Sequence, residues 1–271
     1  MKRKELTRQE LIQQIRSKKT FLCVGLDTDI KKIPSHLLAD EDPIYSFNKA
    51  IIEATKNYCI AYKINTAFYE ANGFKGWQSM MRTVELIPKN ILTIADAKRG
   101  DIGNTSDMYA RAFFEQMNFD AITLAPYMGK DSIEPFFKYK NKWGIVLALT
   151  SNTGSADYEQ QKIGNEFLYE KVIKSTCEIA DENNLMFVVG ATKPEEFLLV
   201  RKHAAKHFLL VPGVGAQGGS LDEVVKFGMN EDVGLLVNSS RNIIYASNGK
   251  DFADAAASEA KNIAHQMSSY L

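Results

Sequence analysis

Eight short apolar runs, each ending in polar or glycine-rich residues and each followed by a helix-length segment, constrain this chain more than any other feature. They are Phe21–Asp27, Tyr58–Lys63, Ile91–Asp96, Ala121–Ala125, Gly144–Thr150, Leu185–Gly190, Phe208–Pro212 and Val233–Asn238. Runs of this length between helix-length segments are the pattern of repeated strand–crossover–strand units. An open doubly wound sheet satisfies the same periodicity. Eight units without an intervening linker favour closure, so the expected fold is α/β, a single (β/α)8 TIM-barrel domain spanning residues 1–271.

Thr7 and Glu10 have capping-box spacing, and Leu11, Ile12 and Ile15 follow on one helical face. An N-terminal helix covering the bottom of the barrel is therefore expected. The basic start (Lys2, Arg3, Lys4) runs into polar residues and offers no apolar stretch suited to a signal peptide or a membrane span. Cys23, Cys59 and Cys177 have no metal-ligand spacing and lie in or beside apolar residues, as reduced core thiols do. A cytoplasmic location is expected. With 33 basic and 33 acidic residues there is no net field to hold a nucleic acid or an anionic membrane. Any anion site must be local.

In a barrel, catalytic groups gather at the carboxyl ends of the strands and in the loops beyond. The polar clusters Asp27, Lys63, Asp96 with Lys98, Ser151, Gln217 and Arg241 all fall there. Period-two alternation would point Asp96 and Lys98 to one side of strand three. Buried charges need partners, so this pair alone reads equally as a salt bridge or as catalytic machinery. Lys63 ends the neighbouring strand at the same mouth, and Asp101 adds a fourth charge. Such a group can hold a lysine as an ammonium acid, with no histidine required. The histidines (His36, His203, His207, His265) read as surface or packing residues. The polar stretch from Ser151 to Glu166, with Gly154 and Gly164, suits a mobile lid or an ordinary surface loop.

Gly213-Val214-Gly215-Ala216-Gln217-Gly218-Gly219 follows strand seven and Arg241 follows strand eight. These are the two loops where such barrels commonly bind phosphate. Glycines let backbone amides approach an anion, and arginine can grip it in bidentate fashion.

The string Asp96-x-Lys98-x-x-Asp101-Ile102-x-x-Thr105 resembles the signature of orotidine monophosphate decarboxylases. Val24-Gly25-Leu26-Asp27, Leu149-Thr150-Ser151-Asn152, the turn from Pro212 to Gly219, and Asn238-Ser239-Ser240-Arg241 extend the resemblance over nearly the whole barrel. It implies decarboxylation of orotidine 5′-monophosphate to uridine 5′-monophosphate, with no cofactor and no metal. Lys98 would protonate C6 as carbon dioxide leaves, and Asp96 would lie beside the substrate carboxylate. Asp101 would complete a Lys63-Asp96-Lys98-Asp101 array by reaching across a homodimer. Asp27, Lys63 and the partner's Thr105 would bind ribose hydroxyls, Ser151 the pyrimidine, and Gln217 with Arg241 the phosphate. Pro212 would line the nucleotide site. Many members have glycine before this arginine, whereas Ser240 stands here in a sequence resembling a second, longer-chain subfamily. A serine amide or hydroxyl is expected in place of the glycine contact.

Two other readings remain at this level. Metal-dependent sugar-phosphate decarboxylases or aldolases of the same suprafamily share the Asp-x-Lys-x-x-Asp pattern, but they carry a metal-binding glutamate where Lys63 stands, and an ammonium there would repel a divalent cation. A catalytically silent nucleotide-binding barrel would have no use for the four-charge set.

Overall fold

The computed structural model describes residues 6–215 and 218–271. Eight parallel strands close on themselves: β1 (Leu22–Gly25), β2 (Ala61–Asn65), β3 (Leu92–Arg99), β4 (Ala121–Leu124), β5 (Trp143–Leu149), β6 (Leu185–Val189), β7 (Phe208–Pro212) and β8 (Leu235–Ser239). Closure is made by β1 pairing with β8, Cys23 opposite Asn238 and Val24 opposite Ser239. The expected barrel is the observed fold.

The strands are nearly continuous apolar runs because both faces are covered, by helices outside and by packed side chains inside. The outer layer includes α2 (Pro43–Thr55), α3 (Gly73–Leu86), α4 (Gly103–Arg111), α5 (Leu168–Cys177), α6 (Glu196–His203), α7 (Leu221–Gly228) and α8 (Phe252–Ser268). Among the described residues no helix is long and apolar enough to cross a membrane.

The first helix, α1 (Arg8–Lys18), starts on the expected capping box: Thr7 Oγ1 accepts from Glu10 N–H, and the Glu10 carboxylate accepts from Thr7 N–H. Leu11 and Ile15 are fully buried. Arg8 pairs with Asp232 at 2.8 Å and donates to the Lys206 carbonyl, while Trp143 Nε1 donates to the Leu6 carbonyl. These partners lie at or just before the starts of β8, β7 and β5, so the helix covers the amino-terminal end of the barrel. Function is left to the opposite end.

Between β5 and α5 the chain is more ordered than a plain loop. A 3-10 turn (Thr153–Ala156) precedes a short antiparallel hairpin pairing Lys162–Ile163 with Glu166–Phe167, turned at Gly164 with φ +68°. Glu159 ties it back to the end of β5, accepting from Thr150 N–H at 2.7 Å and from the Thr150 hydroxyl at 3.0 Å. All three cysteines are free thiols, Cys23 and Cys59 buried and Cys177 half-buried.

Candidate active site

Parallel register brings the charges to one level. Gly25 lies opposite Lys63, and Asn65 lies opposite Asp96. Lys63 Nζ therefore stands between two carboxylates, 3.0 Å from Asp96 Oδ2 and 3.3 Å from Asp27 Oδ1. Lys98 Nζ meets the other Asp96 oxygen at 2.5 Å, and the Thr123 hydroxyl donates to that same oxygen at 3.1 Å. The Lys63 side chain is only 6% exposed and that of Lys98 is 49% exposed. One ammonium is locked in the wall, and the other is open to an incoming molecule.

Burial alone would neutralise these groups, but the pairing outweighs it. Desolvation draws Lys63 down, yet Asp27 and Asp96 hold it above the ordinary lysine value. Desolvation likewise pushes Asp96 up, but Lys63 and Lys98 bring its carboxyl down to about 2. Because the folded value lies below the usual 3.8, the stability Asp96 contributes is present above that value and is lost as pH falls towards about 2. The Asp96 carboxyl ¹³C resonance should accordingly stay constant from pH 7 to pH 4. A titration midpoint at or above 4 would contradict this ion-pair geometry.

The charges line a cavity of about 300 Å³, together with Asn65, Thr123, Ser151, Pro212, Asn238, Ser240 and Arg241. Leu147, Val188 and Leu210 form its apolar wall. Tyr245 braces the Asp27 loop, since its hydroxyl donates to the Asp27 carbonyl at 3.1 Å and accepts from Asp29 N–H at 2.7 Å. Gly190 is required beside Ser151, because a Cβ there would stand 2.7 Å from Ser151 N.

The structure corrects one detail of the sequence reading. Asp96 and Lys98 do meet, but not by simple alternation: the β3–β4 register shifts between Ala95 and Arg99, and Lys98 adopts φ +49°. Asp101 is not part of the cluster within its own chain. Its carboxylate accepts from Ile102 N–H at 2.8 Å, its N–H donates to Ser106 Oγ, and neither it nor the exposed Thr105 lines the cavity. In the glycine-rich turn, the amides of Gly215 and Gly219 donate to carbonyls of the turn itself, so these glycines shape the loop. Gln217 lies outside the described residues.

Ser240 has a steric reason. A Cβ on Gly25 would lie 1.8 Å from Ser240 Oγ, and Asn238 Nδ2 donates to that oxygen at 3.2 Å. The serine is accommodated only because residue 25 is glycine. Asn65, Thr123 and Asn238 escaped assignment in the sequence although they lie near strand ends; a rule collecting every polar residue there would have found them. None of the histidines lines the cavity.

The sequence matches the profile of the orotidine 5′-phosphate decarboxylase / HUMPS family over residues 20–256. An orotidine 5′-phosphate decarboxylase from Christiangramia forsetii is 57% identical over 98% of this chain and 99% of its own length. The chain belongs to this family. Among solved structures, the OMP decarboxylase of Leishmania donovani superposes with a TM-score of 0.79 at 35% identity, covering 96% of this chain and 99% of that one. The longer UMP synthase of Leishmania donovani superposes with a TM-score of 0.81 at 38% identity, but this chain spans only 57% of it.

Proposed function

We propose that the cavity decarboxylates orotidine 5′-monophosphate to uridine 5′-monophosphate and carbon dioxide, the last step of de novo UMP synthesis, without a cofactor. The observation that carries this reading is an ionised Asp96 gripped by a buried Lys63 and a half-open Lys98 in a cavity that also reaches Arg241. The near end-to-end match to a named decarboxylase supports it.

Arg241, with Gln217, holds the 5′-phosphate. Asp27, Lys63 and Thr105 of the partner subunit hold the ribose hydroxyls, Ser151 meets the pyrimidine, and Pro212 and Ser240 line the site. The substrate carboxylate lies beside Asp96. As its bond to C6 breaks, the electron pair stays on C6 and carbon dioxide departs. The Lys98 ammonium transfers a proton to C6, and solvent restores the lysine. A fixed cation beside the developing carbanion favours the transition state over the ground state, which is what raises kcat. Asp101 of the partner subunit completes the array in a homodimer.

The metal-dependent alternative fits poorly with Lys63, whose ammonium occupies the place between Asp27 and Asp96 where a divalent ion would have to sit. The test is an absorbance assay on orotidine 5′-monophosphate with excess chelator. Full turnover is expected, and loss of turnover on chelation would overturn the cofactor-free reading.

Arg241→Ala should cost the natural nucleotide much more kcat/KM than it costs orotidine lacking the phosphate. Remote phosphate binding helps order the loops around the reacting atoms, so removing the grip leaves the truncated substrate little to lose. Equal losses on both substrates would place Arg241 outside the phosphate site.

A further inference from the structure

Lys98 holds a backbone conformation that side-chain-bearing residues rarely adopt, and such strain persists only where surrounding contacts over-determine it. The next residue supplies those contacts. The Arg99 guanidinium turns back past Lys98, Nη1 donating to the Ala97 carbonyl at 2.5 Å and Nη2 to Glu70 Oε1 at 2.5 Å. It lies over the rings of Tyr109 and Phe113, 5.4 and 5.6 Å from their centroids. The Arg99 carbonyl accepts from Ala125 N–H at 2.8 Å, and the Lys98 amide donates to Thr123 Oγ1 at 2.9 Å. Gly100 then passes so close to Ala125 that a Cβ would stand 2.5 Å from its carbonyl oxygen. The bulge is thus clamped on both sides of Lys98.

We infer that Arg99, anchored by Glu70, is a positioning residue for the reaction: it holds the β3 bulge so that the Lys98 ammonium rests on Asp96 at the reacting carbon. Glu70 belongs to the one-turn helix Thr66–Glu70 directly after β2. The clamp therefore couples the strand bearing Lys63 to the bulge bearing Lys98. Arg99 does not line the cavity, so it acts through Lys98. A lysine cannot replace it, because one ammonium does not supply the planar fork that spans two acceptors while stacking on aromatic rings.

The inference rests on the decarboxylase reading, and the experiment separates the two. In Arg99→Met, kcat is expected to fall by roughly tenfold to a hundredfold, the cost of misplacing a reacting group by about 1 Å. Binding of uridine 5′-monophosphate should stay within about threefold, since ground-state contacts are untouched. Arg99→Lys should be nearly as slow. Glu70→Gln, which keeps an acceptor for Arg99, should recover most of the rate and serves as the readout if Arg99→Met does not fold, Glu70→Ala then taking the place of the slow variant. A kcat per folded molecule within twofold of the parent overturns the proposal. So does an equal loss of turnover and product affinity, which would mark a general structural role. If the parent enzyme itself fails to turn over, the decarboxylase reading falls. The positioning claim is then decided by a crystal structure of Arg99→Met: loss of the Lys98–Asp96 contact supports it, and retention overturns it.

Discussion

Lys98→Ala is expected to lower kcat on orotidine 5′-monophosphate by on the order of 10⁴-fold, the upper range for removing a positioned general acid that also supplies the stabilising charge. Folding should survive. The Lys98 side chain is 49% exposed, and Asp96 keeps Lys63 at 3.0 Å and the Thr123 hydroxyl at 3.1 Å when it is gone. Uridine 5′-monophosphate should still bind, because the lysine acts mainly on charge that develops in the transition state. Single-turnover rates, product binding by calorimetry and a melting curve together test this. Turnover within about tenfold of the parent would remove Lys98 from the role of acid. Lys63→Ala should behave differently, since its ammonium is buried between two carboxylates and removing it takes the ion-pair partner from Asp27 and leaves Asp96 with Lys98 alone, which destabilises the fold as well as the site.

In the proposed homodimer with shared sites, two separately inactive variants, one carrying Lys98→Ala and the other Asp101→Ala, should regain about a quarter of the parent activity once their subunits exchange. Asp101 follows Gly100 in the outgoing loop, and its side chain does not join Asp96 and Lys98 of its own chain. Asp101 is half-buried and neighbouring Ile102 and Thr105 are exposed, so the segment is available to a second subunit. In a mixed dimer with shared sites, one site receives both lesions and the other receives neither. Random exchange makes half the dimers mixed, each with one intact site, which gives the quarter. Exchange can be verified by mass spectrometry of differentially tagged chains. Verified exchange without recovered activity would mean that Asp101 works within its own chain.

The eight strands were legible because a parallel strand covered on both faces must be apolar throughout, and that requirement is local to each run of residues. The opening helix was legible for a similar reason: the Thr7–Glu10 box and the Leu11–Ile15 face are separated by single helical turns. The chemistry of the site was visible as polar residues ending apolar runs, which have little reason to stand there unless a cavity opens. Asp96 and Lys98 were paired by spacing, but the contact depends on a bulge and a left-handed backbone that spacing cannot encode. Asn65, Thr123 and Asn238 looked like ordinary polar residues near strand ends, and only the closed barrel turns them onto one cavity. Ser240 could be understood only when β1 and β8 were side by side, because its neighbour Gly25 is 215 residues away in the chain. The sequence by itself determined the period, the order of the elements and which charges were available at the strand ends. Tertiary structure alone decided which of those charges meet. Lys63 finds Asp27 and Asp96 across separations of 36 and 33 residues, and such contacts are set by strand register and barrel closure.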